Sequence, residues 1–466
     1  MKIAVIGSGI SGLSAAYLLG ADHDVTVFES EERLGMCSHT MHFGDVHLDS
    51  PIRSYSTGFY VNLAALYKEI DVETRELPCD MVFLELGQRP FYRSSSYTLL
   101  GYRLPSLRHM VHIYKQYSLR ALLDALHFFR QSPESTPPSM SVDEYLKAQH
   151  YSTEFIDGIL LPFLSMMLTC SYEACLAYPI TIVHDYFSKS SSMNQRVTVN
   201  GSVNVARLLS SRASAVHLST KITGVYKATA DGPATVTYQA HGSHVEETAT
   251  FDHVIVASQA NTALSFLKDI DTDVRETLSA IPHDYTTTVV HKDPVVMPST
   301  RSDWSFFNFV LPRSSSTETR TGMDAMMTLW PTRWTPEIKE LENIFQTWNA
   351  IVEINPALVL RQMGFIRPVF TKQSFALLET LKTQQGRDGI WFVGPYAHFQ
   401  VPLQESAVCS ALDVAAQLGS PAPWTKVNKA APLTTASWLS TRTASALLIG
   451  VPVLTAATLA WRKVTY

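Results

Sequence analysis

Lys2-Ile3-Ala4-Val5-Ile6-Gly7-Ser8-Gly9-Ile10-Ser11-Gly12-Leu13-Ser14-Ala15-Ala16-Tyr17-Leu18-Leu19 decides the fold, together with Asp24-Val25-Thr26-Val27-Phe28-Glu29 just beyond it. An apolar β-rich run, a glycine cluster, a helix-forming stretch and a second β-rich run predict a strand, tight turn, helix and strand. The glycines fall on a G-x-G-x-x-G spacing directly after the strand, where a dinucleotide-binding unit needs them. Gly7 allows the tight turn, Gly9 lets a pyrophosphate approach the backbone, and Gly12 lets helix and strand pack closely. The first helical amides are then aimed at the phosphates. Glu29, at the tip of the second strand, is placed to accept hydrogen bonds from ribose hydroxyls and to repel a 2′-phosphate, which disfavours NADP.

Outward from this unit, 466 residues are long for one core and predict two interleaved domains. With 46% hydrophobic and 17% charged residues there is ample apolar material to bury, and 42 acidic against 37 basic side chains give a net charge of −5. No long Lys/Arg run supplies the basic stripe of a nucleic-acid binder. Five cysteines at scattered spacings, without a CxxC pair, favour a reducing compartment and no zinc site. Met1 runs straight into the first strand, so no export signal is expected. From about 60 to 190 the pattern reads as mainly helical, with Ser141 and Glu144 as a capping box. Val216-His217-Leu218, Ala234 to Tyr238 and Phe251 to Ala257 read as strands of a meander, and Ile390 to Val393 as a last strand before a helix over about 404–418. A Pro/Ala/Thr-rich stretch from Ser420 suits a linker. The uncharged run from Ala444 to Trp461 reads as a membrane tail, with a docked helix as the alternative.

The run from Val5 to Thr40, with Glu29, Arg33, Gly35 and Thr40, resembles the FAD-binding opening of the flavin-containing amine oxidoreductase superfamily, which includes amine oxidases and carotenoid-type desaturases. His291-Lys292-Asp293, Met297-Pro298, Trp304 and Trp391-Phe392-Val393-Gly394 extend the resemblance, to a subgroup known mostly as predicted NAD/FAD-binding proteins. It implies an α/β fold: a Rossmann-type FAD-binding domain, a glutathione-reductase-like ββα sandwich, interleaved with an α+β substrate domain. The expected bounds are 1–60, 195–275 and 385–419 for the FAD-binding domain and 61–194 and 276–384 for the substrate domain, followed by a 420–440 linker and the 441–466 tail. The cofactor implied is FAD, contacted by Gly7, Ser8, Gly9, Ile10, Ser11, Gly12, Glu29, Ser30, Arg33, Ile222, Gly394, Gln404 and Glu405.

Several positions depart from the superfamily pattern. Met36 replaces a glycine, Asp49-Ser50-Pro51 replaces an Asp-x-Gly, and Ser406 and Ala411 replace glycines in the closing helix. Where many amine oxidases carry a lysine bridged by water to flavin N5, this chain has Thr286, which argues against an oxygen-using amine oxidase of that type. The loop Tyr396-Ala397-His398-Phe399-Gln400 is expected near the flavin ring, so Tyr396 is a candidate aromatic wall and His398 a candidate proton-exchanging group. A histidine held in a structural turn is the equal alternative. His291 and Asp293 read as structural, Phe163, Met166 and Met167 as core or a lipophilic lining, and Cys170 and Cys175 as unreactive thiols.

These readings predict an FAD-dependent oxidoreductase taking a hydride from a hydrophobic small-molecule substrate, by amine oxidation or desaturation. The alternatives are a redox-neutral flavin-dependent double-bond isomerase and a non-catalytic flavin-binding protein associated with a membrane. The expected location is intracellular, with a cytosolic body anchored to a membrane if the tail spans it.

Overall fold

The computed structural model describes residues 1–426, apart from 38, 45, 78–79, 95, 100–101, 106–117, 137–139, 191–194, 230–231, 313–323 and 334–342. The described chain forms two units, one from Met1–Arg75, Arg196–His283 and the segment from Pro368 onward, the other from Glu76–Gln195 and Asp284–Arg367.

The first unit contains, in chain order, β1 (Lys2–Ile6), α1 (Ile10–Leu19), β2 (Asp24–Phe28), α2 (Val61–Glu69), α3 (Gly201–Leu209), β3 (Ala215–His217), β4 (Thr220–Tyr226), β5 (Ala234–Ala240), β6 (Glu247–Phe251), β7 (His253–Val256), β8 (Ile390–Phe392) and α4 (Gln404–Gln417). Its main sheet is parallel throughout, in the order β3-β2-β1-β7-β8. Ile3, Ala4 and Val5 are fully buried, as a central parallel strand covered on both faces requires. α1 is buried from Ser11 to Leu19 and is apolar nearly all round, so it serves as a core helix rather than a surface one. β4, β5 and β6 form a separate antiparallel meander, and Phe28, Val225, Val236, Phe251, Val256 and Phe392 share one core with it. Residues 216–218 were expected in the meander. Ala215–His217 instead extends the parallel sheet beside β2, because Glu29 N bonds His217 O at 2.8 Å and continues that ladder.

The order reverses at β1, whose two neighbours lead to opposite ends of the sheet. That reversal opens a crevice at the carboxyl ends of β1 and β7, where Gly7 and Ala257 lie.

The second unit carries a seven-stranded mixed sheet in the order Val359–Pro368, His283–His291, Phe345–Trp348, Met326–Leu329, Phe307–Leu311, Met81–Glu85 and Tyr92–Ser94. The span from about 60 to 190, read as mainly helical, opens on α2 but carries strands between Thr74 and Pro105. Met81-Val82-Phe83-Leu84 pairs in parallel with Phe307–Leu311, and further strands occupy Ser96–Leu99 and Tyr102–Pro105. Its β-branched and aromatic residues suit that pleated surface once a distant partner strand exists. Helices begin at Leu119, and the Ser141/Glu144 capping box forms, with Ser141 N on Glu144 Oε2 at 2.9 Å and Glu144 N on Ser141 Oγ at 3.2 Å. Phe128, Tyr145, Phe155 and His184 build the aromatic core of these helices, and Phe163 stacks on Phe187 at 5.8 Å.

Two buried histidines give this unit an acid sensitivity. Burial lowers His184 and His291 to about 4 from 6.5, so both are neutral when folded at neutral pH. Between those values the unfolded chain takes up protons that the folded chain refuses, so stability falls as pH drops from about 6.5 towards 4, by roughly 1 kcal/mol per pH unit for each group. The urea midpoint is expected to fall between about pH 7 and about pH 5, and an unchanged midpoint would contradict this account.

Among the described residues no helix is long and apolar enough to cross a membrane. The run read as a membrane tail lies outside the described residues.

Candidate dinucleotide site

At the β1–α1 turn each glycine meets a different constraint. Gly7 has φ +101°, a left-handed backbone that favours glycine. A Cβ on Gly12 would lie 2.0 Å from Gly7 O and 2.9 Å from Ala257 Cβ, so helix and strand touch there. Gly9 differs: nothing lies within 4 Å of its missing Cβ, which faces open space. It is the N-cap of α1, with no side-chain cap and no acidic residue in the first turn. The leading amides of α1 thus carry partial positive charge beside the open space at Gly9, a geometry suited to an anion.

Glu29 is buried at the tip of β2, beside that turn. Oε2 accepts from Ser8 N at 2.9 Å and from Ser8 Oγ; Oε1 accepts from Glu31 N at 3.0 Å and Ser30 Oγ at 3.2 Å. Each oxygen therefore holds one fixed amide and one rotatable hydroxyl. Ser8 Oγ also accepts from Gly35 N at 2.6 Å, which seats the Arg33-Leu34-Gly35 loop on the turn; a Cβ on Gly35 would lie 3.1 Å from Glu29 Oε2. Arg33 is exposed, and its Nη1 donates to His42 Nε2 at 3.2 Å. His42 in turn meets His47, Nδ1 to Nδ1, at 2.9 Å. Burial, then the neighbouring His47 and Arg33, hold His42 below its ordinary value.

Asp49 anchors the loop that departs from the pattern at Pro51. Its carboxylate accepts from Thr40 Oγ1 at 2.7 Å and from Ser202 N and Oγ at 2.9 Å, tying the loop to the first turn of α3. That role had no signal in the sequence beyond an acidic residue before a proline.

The remaining candidates are dispersed over the first unit. Ile222 lies on β4, packed against the core, where the β4–β5 register skips Thr223. Gly394 follows β8; its N–H donates to Ser410 Oγ at 2.9 Å, and a Cβ there would lie 2.7 Å from the Tyr396 ring. Tyr396 is itself 1% exposed, a member of the core with Leu381 and Phe392, and its hydroxyl has no hydrogen-bond partner among the described residues. Burial raises its phenol above the ordinary value. His398 stays partly exposed, with Nδ1 3.3 Å from Asp413 Oδ2 on α4. Gln404 opens α4 with a buried Oε1 that has no hydrogen-bond partner among the described residues. Glu405, 2% exposed, accepts from Asn62 N at 2.8 Å, Asn62 Nδ2 at 3.0 Å and Leu63 N at 2.9 Å, and so caps α2. Burial pushes the Cys170 and Cys409 thiols up to about 12 and Cys175 well above its ordinary value, which keeps all three protonated and inert at neutral pH.

Comparison with known proteins finds a family match that includes this turn. Residues 5–70 match the family described as NAD(P)-binding Rossmann-like domain. An L-amino-acid oxidase of Pseudechis australis is 39% identical over 66 residues, 14% of this chain and 11% of that protein. The chain thus matches only about a tenth of the length of this curated relative. Among solved structures, the CLA-producing fatty acid isomerase of P. acnes superposes with a TM-score of 0.61 at 12% identity, covering 90% of this chain and 98% of that one. Putrescine oxidase bound to putrescine gives 0.58 at 14% identity, covering 90% and 98%. Residues 5–70 thus match the NAD(P)-binding Rossmann-like family, and the chain as a whole has the fold that these two solved structures share.

Proposed function

We propose that the protein is an FAD-dependent oxidoreductase that takes a hydride from a hydrophobic organic substrate. The observation that carries this reading is the open cradle over Gly9, bounded by the uncapped amides of α1 and the buried carboxylate of Glu29. The amides of Ile10, Ser11 and Gly12 bind a pyrophosphate through charge-assisted hydrogen bonds. A ribose diol would take the places of the Ser8 and Ser30 hydroxyls on Glu29, while the Ser8 and Glu31 amides keep the carboxylate oriented. A 2′-phosphate at this carboxylate is repelled, which selects against NADP. When bound, FAD supplies the two-electron acceptor; the protein contributes orientation and polarity. Arg33 adds positive charge beside the pyrophosphate, and Ile222, Gly394, Gln404 and Glu405 complete the cofactor's surroundings, Glu405 through its hold on α2. His398, with its Nδ1 3.3 Å from Asp413 Oδ2, is the candidate proton-exchanging side chain, and Tyr396 fixes the loop through its buried ring.

A second reading is a redox-neutral double-bond isomerase, favoured by the superposition on a fatty acid isomerase. The mass of the product separates the two, since oxidation removes two hydrogens and isomerisation none. The reading as a whole is tested on purified protein: a flavin absorption band is expected, with FAD released on acid denaturation and no displacement by NADP. Protein that stays colourless after incubation with excess FAD overturns it.

A further inference from the structure

One face of the seven-stranded sheet in the second unit carries a row of buried polar atoms without partners. Thr286 and Thr288 alternate on the strand His283–His291 and so share a face. Trp348 stands directly opposite Thr288 in the antiparallel ladder and projects from the same face. The row continues through Met327, Phe309 and Phe83, each opposite the last, and the rings of Phe83 and Phe309 stack at 4.3 Å. Thr286, Thr288 and Trp348 are 4%, 0% and 5% exposed. Yet the two threonine Oγ1 atoms and the indole Nε1 have no hydrogen-bond partner among the described residues.

The reverse face of the same strands behaves differently. There His291 Nε2 meets Thr347 Oγ1 at 2.8 Å, and Thr347 meets Thr328 Oγ1 at 2.9 Å. Buried polar groups in folded proteins are rarely left unpaired, so three in one row call for a partner from outside the chain. An indole N–H only donates, and a threonine hydroxyl can donate, so the partner must accept. All three donors are neutral, and they do not offset the desolvation of a carboxylate or phosphate as a cation does. A neutral carbonyl oxygen meets these conditions, and the buried Met327, Phe309 and Phe83 that continue the row make an apolar and aromatic setting suited to the body attached to it.

We propose that Thr286, Thr288 and Trp348 recognise the carbonyl oxygen of a ligand with an apolar or aromatic body. Calling that ligand the substrate rests on the flavoenzyme reading above; the recognition itself does not.

The probes are 4-phenyl-2-butanone and butylbenzene, the same apolar body with and without the oxygen. Titrated calorimetrically into the full chain equilibrated with FAD, the ketone is expected to bind about ten-fold tighter than the hydrocarbon, with its C=O stretch red-shifted in the infrared. Thr288→Val keeps the shape and removes the hydroxyl; it is expected to erase about ten-fold of ketone affinity, to leave butylbenzene binding unchanged, and to leave Tm unchanged or raised. Trp348→Phe is expected to weaken ketone binding in the same way. Equal affinity of the wild-type protein for the two probes overturns the proposal. So does ketone binding that survives in both variants, or a lowered Tm in Thr288→Val with ketone binding intact, which would assign the hydroxyl to the fold. Protein that shows the expected ketone preference but takes up no FAD supports the recognition row and refutes the flavoenzyme reading.

Discussion

Gly12→Ala is expected to destabilise the protein by about 3 kcal/mol or more, a large share of the roughly 5–15 kcal/mol that holds a folded protein together. Two effects oppose each other at this position. In a helix interior, alanine is favoured over glycine by about 1 kcal/mol, so propensity alone predicts a gain. Packing decides the sign, because the new Cβ would lie 2.0 Å from Gly7 O and 3.1 Å from Gly7 C, and both are backbone atoms. That backbone cannot yield: Gly7 N bonds Phe28 O at 2.8 Å, and Ala257 N bonds Ile6 O at 2.8 Å, pinning the turn between β2 and β7. The helix must retreat instead, and α1 is buried along Ser11–Leu19, so the retreat opens the core it shares with the sheet. The check is a urea transition of the apo protein followed by far-UV circular dichroism. A wild-type midpoint in Gly12→Ala would mean that helix and strand are not in contact at this residue.

The β1–α1–β2 unit was legible in the sequence because its determinants are local: the glycines, the apolar run and Glu29 lie within one supersecondary unit whose geometry dictates residue types. The Ser141/Glu144 capping box was legible for the same reason. What escaped the sequence depends on partners far away along the chain. Glu405, at the start of a helix read as close to the flavin, has Asn62 as its partner, 343 residues away. Asp49 was read only as the first residue of an altered flavin loop, and its bonds to Ser202, 153 residues away, show what it anchors. Strand Met81–Glu85 was read as part of a helical span because its partner, Phe307–Leu311, has no local trace. Thr286 was noticed for the residue type it replaces; that it shares a face with Thr288 and Trp348 follows from a strand register the chain does not spell out.

Gly9→Ala is expected to do the reverse of Gly12→Ala, sparing the fold and removing the ligand. Its backbone sits at φ −64° and ψ 175°, which any residue adopts, and nothing lies within 4 Å of the position a Cβ would take. Alanine in a compatible conformation restricts the unfolded chain, so apo stability should hold or rise by about 0.4–1 kcal/mol. The methyl group would occupy the space over the α1 amides that a pyrophosphate needs, and at hydrogen-bond range even one carbon atom displaces the phosphate oxygens. We expect FAD affinity to fall by about 100-fold, roughly 2.7 kcal/mol. Two measurements on one preparation check it: FAD content after purification, and the rise in Tm on adding FAD, which mass action gives to the wild type and withholds from a variant that cannot bind. Because the two substitutions add the same single methyl group three residues apart in one turn, contact with protein and contact with cofactor are separated by geometry alone. Wild-type FAD retention in Gly9→Ala would mean that the open side of the turn is not where the phosphates lie, and the flavin would have to be held elsewhere.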